Sequence, residues 1–226
     1  MHQILRGLLG SSVAALSPPG GGGGGPGGPG PFSFDFVGHS YTVNSTTVTA
    51  ADIVDQPSWI DGTGLVIADS AATVGILGDA LTYLLTADWT MVIEWDHFTS
   101  TSAILPFVMA DGSNDNAVQV KRQDGLGSHF MNVQDFAGAN FRQATDASGP
   151  VGDGVHKIAL TRTNSKLVFS IDGQATVSDT SITFSLAPTA AAFGGFPGDT
   201  IGDTMTIKSC VVTAPVSDGS LPGLST

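Results

Sequence analysis

The chain has 226 residues and a formal net charge of −12, from 20 acidic residues against 8 Lys and Arg. No basic cluster occurs along it, so it lacks the positive surface that nucleic-acid binding requires, and we expect no nucleic-acid partner. One cysteine, Cys210, excludes an intrachain disulfide, and no apolar run approaches the roughly 20 residues of a membrane-spanning helix, so we expect no membrane insertion.

Residues 1–17 carry apolar side chains at the spacing of one face of a short helix. The side chains that define this face are Ile4, Leu5, Leu8 and Leu9. Gly7 and Gly10 each weaken such a helix by about 1 kcal/mol, and an isolated peptide of this length is marginally stable in water. We therefore expect these residues to become ordered against a partner protein, as an anchor peptide; a frayed tail is the alternative.

Residues 18–31, PPGGGGGGPGGPGP, form a Gly/Pro-rich linker. A glycine-rich coil of this length spans on the order of 20 Å root-mean-square, and its prolines extend it further. We expect the linker to hold the anchor peptide away from the domain that follows.

Residues 32–226 have the length and composition of one all-β domain, since such domains routinely reach about 200 residues. Charged residues are 12% of the chain, roughly half the usual share. Short apolar or alternating runs are separated by turn sequences such as DGTG, DGSND and GPVGDG. The runs are FSFDFVG, YTVNSTTVTA, ALTYLLT, WTMVIEWDHF, ILPFVMA, NAVQVKR, SHFMNVQ, VHKIALTRT, KLVFSIDG, ATVSD, ITFSL, AAAFGGF and MTIKSCVVTA. About a dozen strands without a long helix predict a two-sheet antiparallel sandwich.

The clearest hairpin lies between Gly154 and Gly173. Side chains alternate along its first strand, and Leu167, Phe169 and Ile171 form one apolar face of its second strand. The pair Asp172-Gly173 then favours a reversal of the chain.

Three stretches in the same order along the chain resemble the concanavalin A-like lectin/glucanase jelly roll in its laminin G-like form. Asp88–Phe98 resembles an early core strand of that family, and Leu105–Gly125 is similar to its hairpin with a DGSN-type turn. Gly154–Gly173 resembles its G-x-W-H-x-V-A hairpin, with Val155 where the family usually has Trp and Phe169 where it often has Tyr. The resemblance implies a jelly-roll sandwich that binds carbohydrate or hydrolyses it.

Catalysis of the glucanase kind would need an E-x-D-x-x-E or E-x-D-x-E strand, in which two glutamates flank the scissile bond. Glu94 and Asp96 supply the first two carboxylates on one strand face, but Phe98 and Thr99 stand where the second glutamate belongs. We therefore expect no enzymatic activity, with Glu94 and Asp96 on a solvated face and Ile93 and Trp95 packed inward.

A binding role is the stronger expectation. Trp59, with Asp61 and Asp55 nearby, is the candidate aromatic platform for a sugar, and a half-buried structural tryptophan is the alternative. Oxygen ligands that suit calcium crowd one turn, and the laminin G-like resemblance places such an ion at the sandwich rim. These candidate metal ligands are Asp111, Asn114, Asp115 and Asn116. We expect no required cofactor, with calcium as the candidate ion, and an ordinary turn is the alternative.

An anchor peptide, a tether and a sandwich without cysteine cross-links resemble a bacteriophage virion accessory protein, such as a tail-tip, fibre or capsid-decorating head. The expected function is non-catalytic: residues 1–17 dock on a capsid or tail protein, and a homo-oligomeric array of heads on the virion surface meets host-surface glycan. Linked weak sites gain avidity in such an array. The alternatives are a purely structural decorating protein without a ligand and a laminarinase-like glycoside hydrolase.

Overall fold

Two antiparallel β-sheets pack face to face in the computed structural model of the chain. The structure describes residues 28–55, 60–68, 71–97, 104–111, 117–125, 128–137, 140–145, 154–163, 166–179, 188–198 and 204–226. The predicted all-β, two-sheet jelly-roll sandwich is thereby confirmed. The anchor peptide of residues 1–17 and most of the linker lie outside the described residues, so their roles stay predictions.

The described residues form sixteen strands, three short α-helices and one 3-10 helix, Asp218–Ser220. The strands of the larger sheet are β1 (Phe32–Asp35), β2 (Ser40–Val43), β3 (Thr46–Thr47), β4 (Ile60–Asp61), β5 (Gly64–Ile67), β7 (Trp89–His97), β12 (Gly154–Thr163), β13 (Lys166–Ile171), β14 (Val177–Asp179) and β16 (Met205–Thr213). Those of the smaller sheet are β6 (Val74–Gly75), β8 (Ile104–Ala110), β9 (Ala117–Gly125), β10 (Ser128–Ala137), β11 (Asn140–Thr145) and β15 (Ala190–Phe193). The helices are α1 (Ala50–Ile53), α2 (Gly78–Thr86) and α3 (Leu221–Leu224).

The larger sheet has the strand order β14-β13-β12-β7-β16-β1-β2-β3, with β5 also paired to β16 and β4 to β5. Its central pairing, between β7 and β12, sets Trp95 opposite His156 and Glu94 opposite Lys157. The smaller sheet has the order β11-β10-β9-β8-β15-β6. Neighbouring strands that lie far apart in sequence, such as β7 and β16, show that the sandwich closes through long-range pairing.

Alternation along the strands builds the core between the two sheets. Trp89, Met91, Ile93 and Trp95 are fully buried along β7, as the sequence pattern predicts for the last two. On β1 the rings of Phe32 and Phe34 stack with centroids 4.5 Å apart. Because side chains repeat every second residue, the intervening positions of these strands face away from the core.

The prediction of a strand at ALTYLLT was wrong, because this run forms most of α2. Ala80 and Leu84 lie four residues apart, which is one helical turn, and both are fully buried against the core. The hydroxyl of Thr82 donates to the carbonyl of Gly78 within the helix, at 3.1 Å. The run is apolar enough for either structure, and the buried i, i+4 pair favours the helix.

The last residues of the chain, 214–226, cover part of the outer face of the larger sheet; we refer to them as the C-terminal segment. Leu221 is fully buried and packs with Ala159 of β12 and Val168 of β13. The amide of Val216 donates to the hydroxyl of Thr90, and Lys166 forms an ion pair with Asp218. Both faces of β12 and β13 are therefore covered along much of their length.

Among the described residues, no helix is both long and apolar enough to span a bilayer.

Candidate functional site

A surface cleft of about 380 Å³ lies where β7, β12, the turn after β13 and the end of the C-terminal segment meet. We call it the β12 cleft. Its lining residues are Glu94, Val155, His156, Lys157, Asp172, Ser225 and Thr226. They bring together carboxylates, an amine, an imidazole, two hydroxyl groups and one exposed apolar side chain.

Strand β12 places three consecutive side chains at the cleft. Val155 is 51% exposed, and Lys157, two residues on, lies on the same face. His156 turns the other way and is 8% exposed, with its ring centroid 5.8 Å from that of Trp95. The cleft is thus built on the edge of the core rather than on a loop.

Lys157 connects the two sides of the cleft. Its Nζ donates to the main-chain oxygen of Thr226 at 2.7 Å and lies 3.6 Å from Oε2 of Glu94, its partner across the sheet. Both the Lys157 and Glu94 side chains are about 30% exposed (31% and 28%), so the ion pair remains in contact with solvent. Such a pair fixes geometry more than it adds stability.

Asp172 occupies the other wall, at the turn that ends the predicted hairpin. Its φ of 48° and the φ of 74° at Gly173 place both residues in the left-handed region that tight turns use. One carboxylate oxygen accepts from the Lys157 amide at 2.9 Å, and the other lies 2.9 Å from Nδ1 of His156. The Asp172 carboxylate therefore fixes the positions of His156 and Lys157 of β12.

Ser225 joins the C-terminal segment to the same turn. Its hydroxyl accepts from the Gly173 amide at 3.0 Å and lies 3.0 Å from the hydroxyl of Ser170. The φ of 74° at Gly173 favours glycine, and a Cβ there would lie 2.7 Å from the Thr226 methyl group. Ser225 and Thr226 of the C-terminal segment therefore form part of the cleft lining.

Glu94 and Asp96 lie on the outer face of β7, and Ile93 and Trp95 lie in the core, as predicted from the alternation. Oδ2 of Asp96 lies 3.8 Å from Nζ of Lys208 on β16, and Glu94 is paired with Lys157 on β12. Both carboxylates take part in ion pairs across the outer face.

The predicted sugar platform lies mainly outside the described residues. Trp59 is not among them, and for Asp61 only its backbone position in β4 is described. The neighbouring Asp55 has a structural role instead: its carboxylate accepts from the Gly75 amide, which joins the end of α1 to β6. Burial raises the pKa of Asp55 above its ordinary value.

The predicted calcium turn is described at one of its four positions. Asp111 follows β8 directly and is half-buried, while Asn114, Asp115 and Asn116 lie outside the described residues, so this site stays a prediction. Within the described part of the chain, no cluster of three or more His, Cys, Asp or Glu residues has the geometry of a metal site. The anchor side chains Ile4, Leu5, Leu8 and Leu9 also lie outside the description.

The outer face of the smaller sheet is a second surface to consider. Val108, Ala110 and Ala117 point outward there but are fully buried, with Phe196 packed against them. Because these positions are closed to solvent, they offer no contact surface to a ligand, and the β12 cleft is the better candidate.

Sequence reasoning found the hairpin that carries the β12 cleft but not the cleft. His156 stood among five scattered histidines, and nothing in the sequence shows that the C-terminal segment folds back to it. The one available signal was the IDG turn, since an aspartate in a tight turn commonly accepts hydrogen bonds from nearby backbone amides. The partners of that aspartate depend on strand register, which becomes visible only in the fold.

No protein-family model matches this chain, and no curated protein shows significant sequence similarity to it. Several solved structures nevertheless share its fold. The carbohydrate-binding module CBM40 of a Ruminococcus gnavus IT-sialidase, bound to alpha2,6 sialyllactose, is 14% identical, with a TM-score of 0.57 over 73% of this chain and 97% of that chain.

Two further structures match only part of a longer chain. Trypanosoma rangeli sialidase is 12% identical, with a TM-score of 0.59 over 85% of this chain and 32% of its own. The binding domain of botulinum neurotoxin DC, in complex with SialylT, is 9% identical, with a TM-score of 0.52 over 70% of this chain and 40% of its own. At these identities the likeness shows a shared sandwich fold.

Proposed function

We propose that this chain is a non-catalytic glycan-binding protein and that it binds saccharide in the β12 cleft. The observation that carries the proposal is the lining of the cleft, where hydrogen-bonding groups converge beside one exposed apolar side chain. Small-molecule sites combine concave shape with a few polar groups that fix the orientation of the ligand.

The chemistry of the lining suits a sugar ring. Carboxylates of Glu94 and Asp172 accept hydrogen bonds from sugar hydroxyls, and the hydroxyls of Ser225 and Thr226 both donate and accept. Val155, at 51% exposed, offers an apolar contact for the C–H face of a ring. A volume of about 380 Å³ accommodates one or two sugar residues.

Structures of the same fold support a carbohydrate ligand. The Ruminococcus gnavus module was solved with sialyllactose, and the neurotoxin binding domain was solved with SialylT. The module is matched along 97% of its length, so the part of this chain that corresponds to it has the extent of a complete binding module.

A non-catalytic role fits the positions of the carboxylates better than hydrolysis does. Retaining glycosidases hold an acid and a nucleophile about 5–5.5 Å apart on one strand face. Here Glu94 and Asp96 are each engaged by a lysine, and Phe98 and Thr99 stand where a second glutamate belongs. If the chain hydrolyses glycan, Glu94→Ala should abolish the release of reducing sugar. If the unaltered chain releases none, the glycoside-hydrolase alternative is rejected.

The virion setting is a further part of the proposal and rests on the sequence. Residues 1–17 would dock on a capsid or tail protein, residues 18–31 would act as the tether, and homo-oligomeric display on the virion surface would supply avidity. Peptide mass spectrometry on purified particles tests this location. The chain should be present, and deletion of residues 1–17 should release it; recovery only outside particles contradicts the setting.

Glycan binding is tested with the full chain displayed on beads and applied to a glycan array, with calcium and then with chelator. We expect Lys157→Met to weaken binding about tenfold or more, because a hydrogen bond to a charged group contributes about 1.5–3 kcal/mol. Lys208→Met is the matched control, since it removes a lysine of the adjacent strand that is paired with a carboxylate but does not line the cleft.

The outcomes separate the alternatives. Binding that falls equally in both lysine variants contradicts the β12 cleft as the site. Loss of binding on chelation supports the calcium turn that begins at Asp111. No binding to any glycan contradicts the proposal and favours a purely structural decorating protein.

A further inference from the structure

We infer that the saccharide bound in the β12 cleft is uncharged and that sugars carrying a carboxylate, such as sialic acid, are disfavoured there. This inference rests on the proposed glycan-binding function and specifies the class of ligand. It separates this chain from the structures of similar fold that were solved with sialylated ligands.

The lining of the cleft has two side-chain carboxylates and one amine. Glu94 and Asp172 stand on opposite walls, with Lys157 between them. Proteins that bind a carboxylate group commonly use an arginine fork or a cation in direct contact with it. Among the described lining residues there is no arginine, and Arg162 of the same strand is 7% exposed with Nη1 3.4 Å from the Ala87 carbonyl oxygen, far from the cleft.

The amine of Lys157 is already engaged. Its Nζ donates to the main-chain oxygen of Thr226 at 2.7 Å and lies 3.6 Å from Oε2 of Glu94. A sugar carboxylate that reached this amine would lie beside the Glu94 carboxylate. Like charges at such distances repel, so the Glu94 carboxylate offsets the attraction between the Lys157 amine and an anionic ligand.

The imidazole on the other wall is engaged in the same way. Nδ1 of His156 lies 2.9 Å from the Asp172 carboxylate, so a positive charge on this ring would be neutralised within the protein. The surroundings add no positive excess, because Lys208 is paired with Asp96 and the whole chain carries −12. Both carboxylates accept hydrogen bonds from the hydroxyls of a neutral sugar, whereas they repel the carboxylate of an anionic sugar.

The experiment compares matched glycans on the full chain. Lactose and N-acetyllactosamine are titrated beside their sialylated forms, with β-1,3-glucan oligomers as a second neutral class, by a binding assay at 50 and 300 mM salt. We expect neutral sugars to bind at least about tenfold more tightly than the sialylated partners at low salt. The ratio should shrink at high salt, because salt screens charge repulsion at an exposed site.

Two variants locate the effect. Glu94→Gln should reduce the ratio of the neutral to the sialylated affinity at least about threefold, because it removes one of the repelling charges. Asp79→Asn is the control: it removes an exposed carboxylate in the first turn of α2, which does not line the cleft, and it should leave the ratio unchanged.

The inference and the proposed function fail in different ways. Sialylated glycans that bind as tightly as neutral ones, or more tightly, overturn the inference while glycan binding stands. An unchanged ratio in Glu94→Gln overturns it as well, because the discrimination then arises elsewhere. Absence of binding to every sugar tested overturns the proposed function and the inference with it.

Discussion

Nδ1 of His156 lies 2.9 Å from Oδ2 of Asp172, and the same imidazole packs against Trp95 in the core. One wall of the β12 cleft is therefore connected directly to the sandwich interior. Side chains held by packing on one side and a hydrogen bond on the other have little rotamer freedom, which reduces the entropy lost when a ligand binds. The cleft is preorganised by the sheet beneath it.

The C-terminal segment should contribute much of the stability of the cleft. Leu221→Ala removes a fully buried side chain from the cluster with Ala159 and Val168, and we expect it to lower the free energy of unfolding by about 2–5 kcal/mol. Urea denaturation measures this change. Leu224→Ala, at a side chain that is 40% exposed, is the control and should change stability by less than about 1 kcal/mol. Equal effects would mean that the segment is not docked as described.

A buried pair of hydroxyls under this segment should respond asymmetrically to substitution. The Thr90 and Thr161 hydroxyls lie 2.7 Å apart, and the Thr90 hydroxyl also accepts from the Val216 amide. Thr90→Val leaves the Thr161 hydroxyl and the Val216 amide without this partner and should lower the free energy of unfolding by about 1–3 kcal/mol. Thr161→Val keeps the hydrogen bond from Val216 to Thr90 and should lower it by about 0.5–1.5 kcal/mol. Thermal unfolding of the two variants compares them. A larger loss in Thr161→Val would contradict the described hydrogen bonds.

The parts of the fold that were predictable from sequence are those set by local pattern. The hairpin of β12 and β13 follows from side-chain alternation, and Ile158, Leu160 and Phe169 lie in the core that the alternation predicts. Such features depend on a few adjacent residues. The prediction of the run YTVNSTTVTA as one strand was wrong in this respect: a turn at Asn44 and Ser45, with φ values of 47° and 62°, divides it into β2 and β3.

The parts that were not predictable depend on contacts distant in sequence. Helix α2 was mistaken for a strand because an apolar run of this length fits either structure until its partners are known. The β12 cleft depends on Thr226 reaching Lys157 and on Ser225 reaching Ser170, which are separations of 69 and 55 residues. Side-chain periodicity contains no information on these pairings.

The thiol of Cys210 should be unreactive in the folded protein. Cys210 is fully buried in the core, and burial raises the pKa of its thiol far above the ordinary value, so the reactive thiolate is suppressed at neutral pH. A chromogenic disulfide reagent should label it only at the rate at which the sandwich opens, and fully in denaturant. Rapid labelling under native conditions would contradict the buried position.

Two aspartates near α1 should affect stability in opposite directions as pH changes. Burial raises the pKa of Asp55, so the folded state binds a proton more readily than the unfolded state does. The ordinary pKa of Asp55 is 3.8, and its pKa in the folded state is higher. As the pH rises between these two values, ionisation of Asp55 lowers the free energy of unfolding. Asp52 is the reverse case, because hydrogen bonds from the Thr49 hydroxyl and amide lower its pKa. Its stabilisation is present in full above 3.8 and is lost as the pH falls through the lowered value.

Denaturation between pH 3 and pH 7 tests both signs, with each aspartate replaced by asparagine to keep the side-chain shape. Relative to Asp55→Asn, the unaltered chain should lose stability as the pH rises. Relative to Asp52→Asn, it should gain stability over the same range. Subtracting the stability curve of each variant from that of the unaltered chain removes the contribution of the other carboxylates, provided that the substituted site does not interact with them. Parallel trends in the two comparisons would mean that burial does not govern the ionisation of Asp55.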